Sequence, residues 1–153
     1  MFTIKTKDFN IIFNSITSFS NESKRFTIKN SIVSHLTEIK TCFQDLSYLE
    51  KALIRLEIPN FKNSRLTKTN SLILPQYKNN DLVFRWDGKS FALNVDHDYW
   101  NQEYSVSHFI TRIKKEYAVE TIVGESQKFG FKPVQIKQNS NGSKVISLQR
   151  FTL

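Results

Sequence analysis

Two carboxylates and an imidazole follow one another at Asp96-His97-Asp98. Carboxylates bind hard cations and imidazole binds zinc, so this is the first place to look for a metal site. Neighbouring residues of an extended chain point to opposite sides, however, and at most Asp96 and Asp98 can converge on one ion. In the alternative interpretation, Asp96 or Asp98 caps the turn that leads to Trp100, whose ring anchors the loop. We expect the capping role and no metal site.

Cys42 and Glu120 are the two side chains whose setting could suit them to catalysis. Cys42 is the only cysteine, which excludes a disulfide framework, and no histidine lies near it in sequence to lower the pKa of its thiol. We expect a buried, inert thiol. Glu120 falls within the apolar stripe of a predicted helix, where a partly buried carboxylate could act as a general base. The buried face of that helix changes direction there, so we expect a solvent-facing Glu120 and no catalytic residue or cofactor.

The chain is basic, with 22 Lys and Arg against 14 Asp and Glu and a formal net charge of +8. Most of this excess is diffuse. The basic residues are most clustered on the last predicted hairpin, where Lys137 and Arg150 are expected to share the solvent face. RNA or another polyanion would bind such a group. The candidate polyanion contacts on this hairpin are Lys132, Lys137, Lys144 and Arg150.

The length of 153 residues is enough for one domain with a substantial core. No segment approaches the roughly 18 uninterrupted apolar residues of a membrane-spanning helix. We therefore expect a soluble basic protein without integral membrane insertion.

The clearest hairpin lies between residues 81 and 95. Asp87-Gly88 is a favoured two-residue turn, and it would pair Phe84 with Phe91 on an apolar face. A second hairpin lies between residues 131 and 151. There a two-residue turn would mix the faces, whereas a three-residue loop with a left-handed Gly142 aligns the apolar residues. We predict the three-residue loop, with two cross-strand pairs beneath the helices: Ile136 with Ile146 and Val134 with Leu148.

Apolar periodicity predicts two helices. The first follows Asp45 or Ser47 as N-cap and stops before Pro59. The second starts after Ser105, and because its apolar stripe moves after Tyr117, it either bends near Gly124 or is covered on two sides. The order is strand, helix, three strands, helix, two strands. This order predicts an α+β fold of two layers, a mainly antiparallel sheet with two helices on one face.

Residues 1–33 differ from the rest of the chain. Apolar residues from Phe9 to Phe19 recur at helical spacing, which is typical of a short amphipathic arm, a targeting segment or a loosely ordered extension. We expect residues 1–33 to be an N-terminal extension and residues 34–153 to be a single α+β domain.

Eight short segments, taken together in their order along the chain, carry a resemblance to a known family. They are Ser34-His35-Leu36-Thr37-Glu38-Ile39-Lys40-Thr41, Leu49-x-x-Ala52-Leu53, Phe84-x-Trp86-Asp87-Gly88, Asp96-x-x-x-Trp100, Ser105-Val106-x-x-Phe109, Tyr117-Ala118, Gly130-Phe131 and Leu148-Gln149-Arg150. Over about residues 34–151 the chain resembles the hypothetical chloroplast reading frame thirty-five family of plastid genomes and cyanobacteria. Members of that family tend to have Met where Val33 stands, so we hypothesise a GUG start codon at Val33. The resemblance implies a plastid-encoded protein, stromal or peripheral, of unassigned activity.

The sequence and the resemblance together favour a non-enzymatic accessory or assembly factor that serves photosynthetic machinery through a protein partner. The alternative is an RNA-binding or polyanion-binding module that uses the basic hairpin.

Overall fold

The computed structural model describes residues 2–6, 10–13, 36–62, 71–76, 81–100 and 102–150. Nine strands, two α-helices and a short 3-10 helix lie within them. The elements are β1 (Phe2–Thr6), β2 (Asn10–Phe13), β3 (Leu36–Ile39), α1 (Leu46–Arg55), β4 (Phe61–Lys62), β5 (Ser71–Leu74), β6 (Leu82–Trp86), β7 (Phe91–Asp96), the 3-10 helix (His97–Tyr99), α2 (Val106–Lys128), β8 (Phe131–Gln138) and β9 (Lys144–Arg150). The α+β class that the sequence predicts is confirmed.

The chain divides into two compact units, a smaller one formed by Met1–Phe19 with Ala118–Leu153 and a larger one formed by Ser20–Tyr117. Helix α2 begins in the larger unit and ends in the smaller one. This division does not follow the predicted boundary between residues 33 and 34, and β1 and β2 lie inside the predicted extension. The domain limits therefore stay a prediction.

The larger unit contains an antiparallel sheet with the strand order β3-β7-β6-β5-β4. Leu72, Phe84 and Leu93 are fully buried on the same face of this sheet, because they lie opposite one another on three neighbouring strands. They form one core with residues of both helices, among them Leu53 of α1 and Ile113 of α2. The predicted packing of two helices against one sheet is thus found in this unit.

The hairpin of β6 and β7 turns one residue later than predicted. Phe84 pairs with Leu93 and Trp86 with Phe91, and the backbone N–H of Asp87 donates to the carbonyl oxygen of Ser90 at 3.0 Å, so that the two-residue loop is Gly88-Lys89. The carboxylate of Asp87 also accepts hydrogen bonds from the backbone N–H groups of Lys89 and Ser90, at 2.8 Å each, which holds the turn at this position. The predicted pairing was wrong by two residues. The predicted buried face is correct, because a shift of two residues preserves side-chain alternation.

Helix α1 is capped by Asp45, whose side chain accepts from the backbone N–H groups of Ser47 and Tyr48. This selects Asp45 from the two N-cap residues that the sequence left open. Its apolar stripe is fully buried at Leu49 and Leu53, and the helix ends at Arg55, before Pro59.

Helix α2 is a single helix that continues through Gly124. Phe109 and Ile113 belong to the core of the larger unit, whereas Val119 belongs to a second core in the smaller unit. Both parts of the displaced apolar stripe are therefore buried, the first in the core of the larger unit and the second in the core of the smaller unit. Gly130 follows the helix with φ +80°, the left-handed conformation in which glycine commonly ends a helix.

The smaller unit contains a second sheet, with the strand order β2-β1-β9-β8. Strand β1 pairs with β9 in parallel and with β2 in antiparallel orientation. The predicted single sheet is therefore corrected to two, because pairing between the two ends of the chain leaves no local sequence signal. The predicted amphipathic arm is also corrected at residues 10–13, which form β2, while residues 14–35 lie outside the described residues.

Candidate functional site

The loop after β7 is held by capping interactions. The Asp96 carboxylate accepts a hydrogen bond from the backbone N–H of Asp98 at 3.1 Å, as expected for a cap of the 3-10 helix. The indole N–H of Trp100 donates to the carbonyl oxygen of Tyr104 at 2.6 Å, and its ring contacts Phe109 of α2 with a centroid distance of 5.5 Å. The predicted structural roles of Asp96 and Trp100 are confirmed. Within the described parts of the chain, no three His, Cys, Asp or Glu side chains are grouped as metal ligands would be.

Cys42 lies between β3 and α1 and is half-buried against the core of the larger unit. Burial raises the pKa of its thiol, although the nearby Lys114 ammonium acts in the opposite direction. A raised pKa disfavours the thiolate and hence nucleophilic attack. The thiol that the sequence predicts to be buried is thus only half-buried, and its inertness stays a prediction.

Two glutamates are buried one helical turn apart on α2. Glu120 is only 9% exposed, so the prediction of a solvent-facing Glu120 was wrong: the helix buries a second stripe at this point. Glu116 is equally buried and was missed by sequence reasoning. A signal was present, since Glu116 precedes the Tyr117-Ala118 pair at which the stripe turns. One oxygen of Glu116 lies 3.8 Å from Nε of Arg55 on α1, a partly buried ion pair with a structural role within the larger unit.

The loop between β8 and β9 has the predicted three residues, 140–142. The backbone N–H of Asn139 donates to the carbonyl oxygen of Ser143 at 2.8 Å, which closes the loop. Gly142 has φ +77°, a left-handed conformation that glycine adopts at the least cost. The predicted pairing of Ile136 with Ile146 is confirmed.

A bulge corrects the other predicted pair of this hairpin. The register shifts between Pro133 and Gln135, so that Pro133 lies opposite Leu148 and Val134 is left without a partner residue on β9. Leu148 is buried, but Val134 is 62% exposed. The prediction that both cross-strand pairs lie buried beneath the helices was therefore wrong on the β8 side, because β8 is the last strand of this sheet among the described residues.

The four candidate polyanion contacts lie on two faces of the hairpin. Lys132 and Lys137 pair with Gln149 and Val145, on one face, whereas Lys144 and Arg150 alternate with them on the other face. The Arg150 guanidinium lies over the ring of Phe131, 5.6 Å from its centroid. The prediction that Lys137 and Arg150 share a face was therefore wrong, because they occupy positions of opposite parity in the ladder. Lys132 and Lys137 are the pair that shares a face.

Exposed apolar side chains are concentrated at β8 and in the turn just before it. Six large hydrophobic residues are exposed among the described residues, and three of them lie between positions 129 and 136: Phe129 at 70%, Val134 at 62% and Ile136 at 37%. Lys132 and Lys137 are exposed within and next to this segment. We call Phe129, Lys132, Val134, Ile136 and Lys137 the β8 surface; it includes both faces of the strand, because Ile136 pairs with Ile146 and Lys137 with the next residue, Val145. It combines apolar area with positive charge, a composition suited to a protein contact.

A sequence profile described as protein of unknown function (DUF1257) matches residues 43–146, more than half of the chain. The chain belongs to this family. Three curated relatives each bear the name uncharacterized protein ycf35. The Trieres chinensis protein is 41% identical over 119 residues, covering 72% of this chain and 93% of the relative. The Guillardia theta and Cyanophora paradoxa proteins are 30% and 32% identical over 126 residues, each covering 78% of this chain and 98% of the relative.

These relatives confirm the resemblance to the hypothetical chloroplast reading frame thirty-five family. They are plastid-encoded proteins of unknown function, so they assign no residue role to the DUF1257 chain. No solved structure is significantly similar to it. Among the described residues, no helix has the length and apolar character that crossing a membrane requires.

Proposed function

We propose that this DUF1257 protein is a non-enzymatic accessory or assembly factor that acts in the plastid, in the stroma or at a membrane periphery, by binding protein components of the photosynthetic machinery. The observation that carries the proposal is the β8 surface, where exposed apolar residues stand beside lysines. Exposed apolar clusters of this kind are typical of contact sites. The plastid origin of the ycf35 relatives supports the location.

The test is affinity capture of tagged protein from separate thylakoid and stromal fractions. The variant Phe129→Ser/Val134→Ser removes apolar area from the β8 surface, and both side chains are more than 60% exposed, so we expect it to fold. Ile54→Ser is the matched control, because Ile54 is also 62% exposed but lies on α1 in the larger unit. We expect a defined set of proteins that the wild type and Ile54→Ser retain and the double variant does not. Recovery of RNA alone would contradict the proposal.

Polyanion binding by the C-terminal hairpin is the second candidate, and the shared face of Lys132 and Lys137 favours it. Binding through these two lysines would weaken as salt rises, because each phosphate that a lysine neutralises releases condensed counterions. Lys132→Gln/Lys137→Gln should reduce both the affinity for single-stranded RNA and the salt slope, by roughly 0.7 for each phosphate that is no longer neutralised. Lys144→Gln, on the other face, is the control. Salt-independent binding, or none, would exclude this candidate.

A further inference from the structure

The edge of β8 that faces away from β9 offers backbone groups to another strand. Strand β8 is the last in the order β2-β1-β9-β8, so among the described residues only β9 pairs with it. Residues 132–138 are all exposed. The hydrogen bond between Asn139 and Ser143 sets the alternation of the antiparallel ladder. By that alternation, the N–H and C=O groups of Ile136 and Gln138 point away from β9.

Three features of this edge disfavour pairing with a second copy of the chain. Pro133 has no N–H to donate, the bulge at Val134 interrupts the ladder, and the exposed Lys132 and Lys137 would meet the lysines of an identical edge. Lysine, proline and bulges are the devices by which natural edges avoid self-association. Repulsion between lysines does not act against an acidic partner, so the same charges that disfavour a second copy favour that partner.

The faces of β8 specify the side chains of the matching strand. Ile136 lies on the face of the buried Ile146, whereas Lys137 lies on the face of Val145. Residues opposite one another on paired strands share a face. A strand added at this edge would therefore place an apolar residue beside Ile136 and an acidic residue beside Lys137.

We infer that residues 135–138 of β8 bind, by strand addition, an extended segment of a partner protein in which acidic and apolar side chains alternate. This inference rests on the proposed function, since it names the surface and the kind of partner. Main-chain hydrogen bonds supply affinity in this binding mode, and the alternating side chains supply specificity.

A random-peptide display selection on the full chain tests the inference, with the wild type and Lys137→Glu selected in parallel. We expect the wild type to enrich peptides in which Asp or Glu alternates with apolar residues, and Lys137→Glu to enrich Lys or Arg at the acidic positions. For one acidic peptide, Lys137→Glu should weaken binding by about tenfold, because a favourable cross-strand charge pair becomes a repulsive one. Lys89→Glu, with the same charge change on the exposed β6–β7 loop, should leave binding unchanged.

Two sets of N-methylated versions of that peptide distinguish strand addition from charge attraction alone. Methylation of every second amide in one register blocks the hydrogen bonds to Ile136 and Gln138 and should abolish binding. Methylation in the other register should retain it. Equal effects of the two registers would overturn the inference.

Several further outcomes would also overturn the inference. The first is selection of the same peptides by the wild type and by Lys137→Glu. The second is self-association of the chain that Val134→Ser abolishes. The third is binding of single-stranded RNA in place of acidic peptides. If capture from thylakoid and stromal fractions still recovers proteins through another surface, strand addition is wrong and the proposed function stands. If capture recovers no protein while acidic peptides bind the β8 edge as expected, the proposed function fails and the docking mode stands.

Discussion

The hydroxyl of Tyr117 fixes the chain that leads into α1. It accepts hydrogen bonds from the backbone N–H groups of Gln44 and Asp45, at 3.0 Å each. The ring packs against Phe43 with a centroid distance of 4.9 Å. Tyr117→Phe retains this ring contact and removes the acceptor, so it isolates the contribution of the hydroxyl to the stability of the larger unit.

The expected loss of stability follows from the two bonds. A net intramolecular hydrogen bond contributes about 0.5–1.5 kcal/mol, so the pair contributes roughly 1–3 kcal/mol. Gln44 and Asp45 are exposed, so water can hydrate the freed N–H groups and we expect the lower part of this range, about 1–1.5 kcal/mol. Tyr99→Phe is the matched control, because Tyr99 is 53% exposed on the loop after β7. It should cost less than about 0.5 kcal/mol.

Equilibrium urea unfolding monitored by tryptophan fluorescence measures both variants. Trp86 and Trp100 are the only tryptophans, and both lie in the larger unit, so the signal reports the unit that Tyr117 stabilises. Amide exchange at Gln44 and Asp45 should also accelerate in Tyr117→Phe and not in Tyr99→Phe. Equal stability losses in the two variants, with unchanged exchange at these two amides, would refute the reasoning.

Two further predictions concern the hairpin loops. Gly142→Ala places an L-residue at φ +77° and should destabilise the β8–β9 hairpin by about 1–2 kcal/mol, measured as faster amide exchange in β9, with Ser140→Ala as control. Unchanged exchange would contradict the left-handed conformation. The pKa of Asp87 is lowered below 3.8 by the N–H groups of Ser90 and Lys89, so its stabilising contribution is present above that pH and is lost as pH falls through the lowered value. Asp87→Ala should therefore destabilise the larger unit at neutral pH, and the difference should shrink in acid; a difference that is constant with pH would contradict this.

Side-chain alternation explains why the sequence predicts the core of the larger unit even where it mispredicts the register. The β6–β7 pairing is shifted by two residues from the prediction, yet Phe84 and Leu93 are buried as expected. A shift of one residue would have exchanged the faces. Which side chains of a hairpin are buried thus depends on their alternation along the strand, which is visible in the sequence, whereas the position of the loop depends on the hydrogen bonds of Asp87.

Helix α2 shows what the apolar stripe of a helix cannot predict from the sequence alone. The sequence shows that its apolar face moves after Tyr117, but this observation alone leaves open whether the helix bends or is covered twice. In the structure the helix contributes to two cores, with Ile113 in that of the larger unit and Val119 in that of the smaller unit. Glu116 and Glu120 lie where the stripe moves, and both are buried, a result that the charge of either residue would not predict.

The candidate site depends on the one property that local spacing does not encode, the order of strands in a sheet. Ile136 and Ile146 form a pair that loop length predicts, yet Ile146 is fully buried and Ile136 is 37% exposed. The difference arises because β9 has β1 as a second neighbour, from the opposite end of the chain, and β8 has none among the described strands. The pairing with β1 thus buries β9 and leaves the apolar residues of β8 exposed next to Lys137. The proposed docking surface follows from the order of the strands, and no sequence motif identifies it.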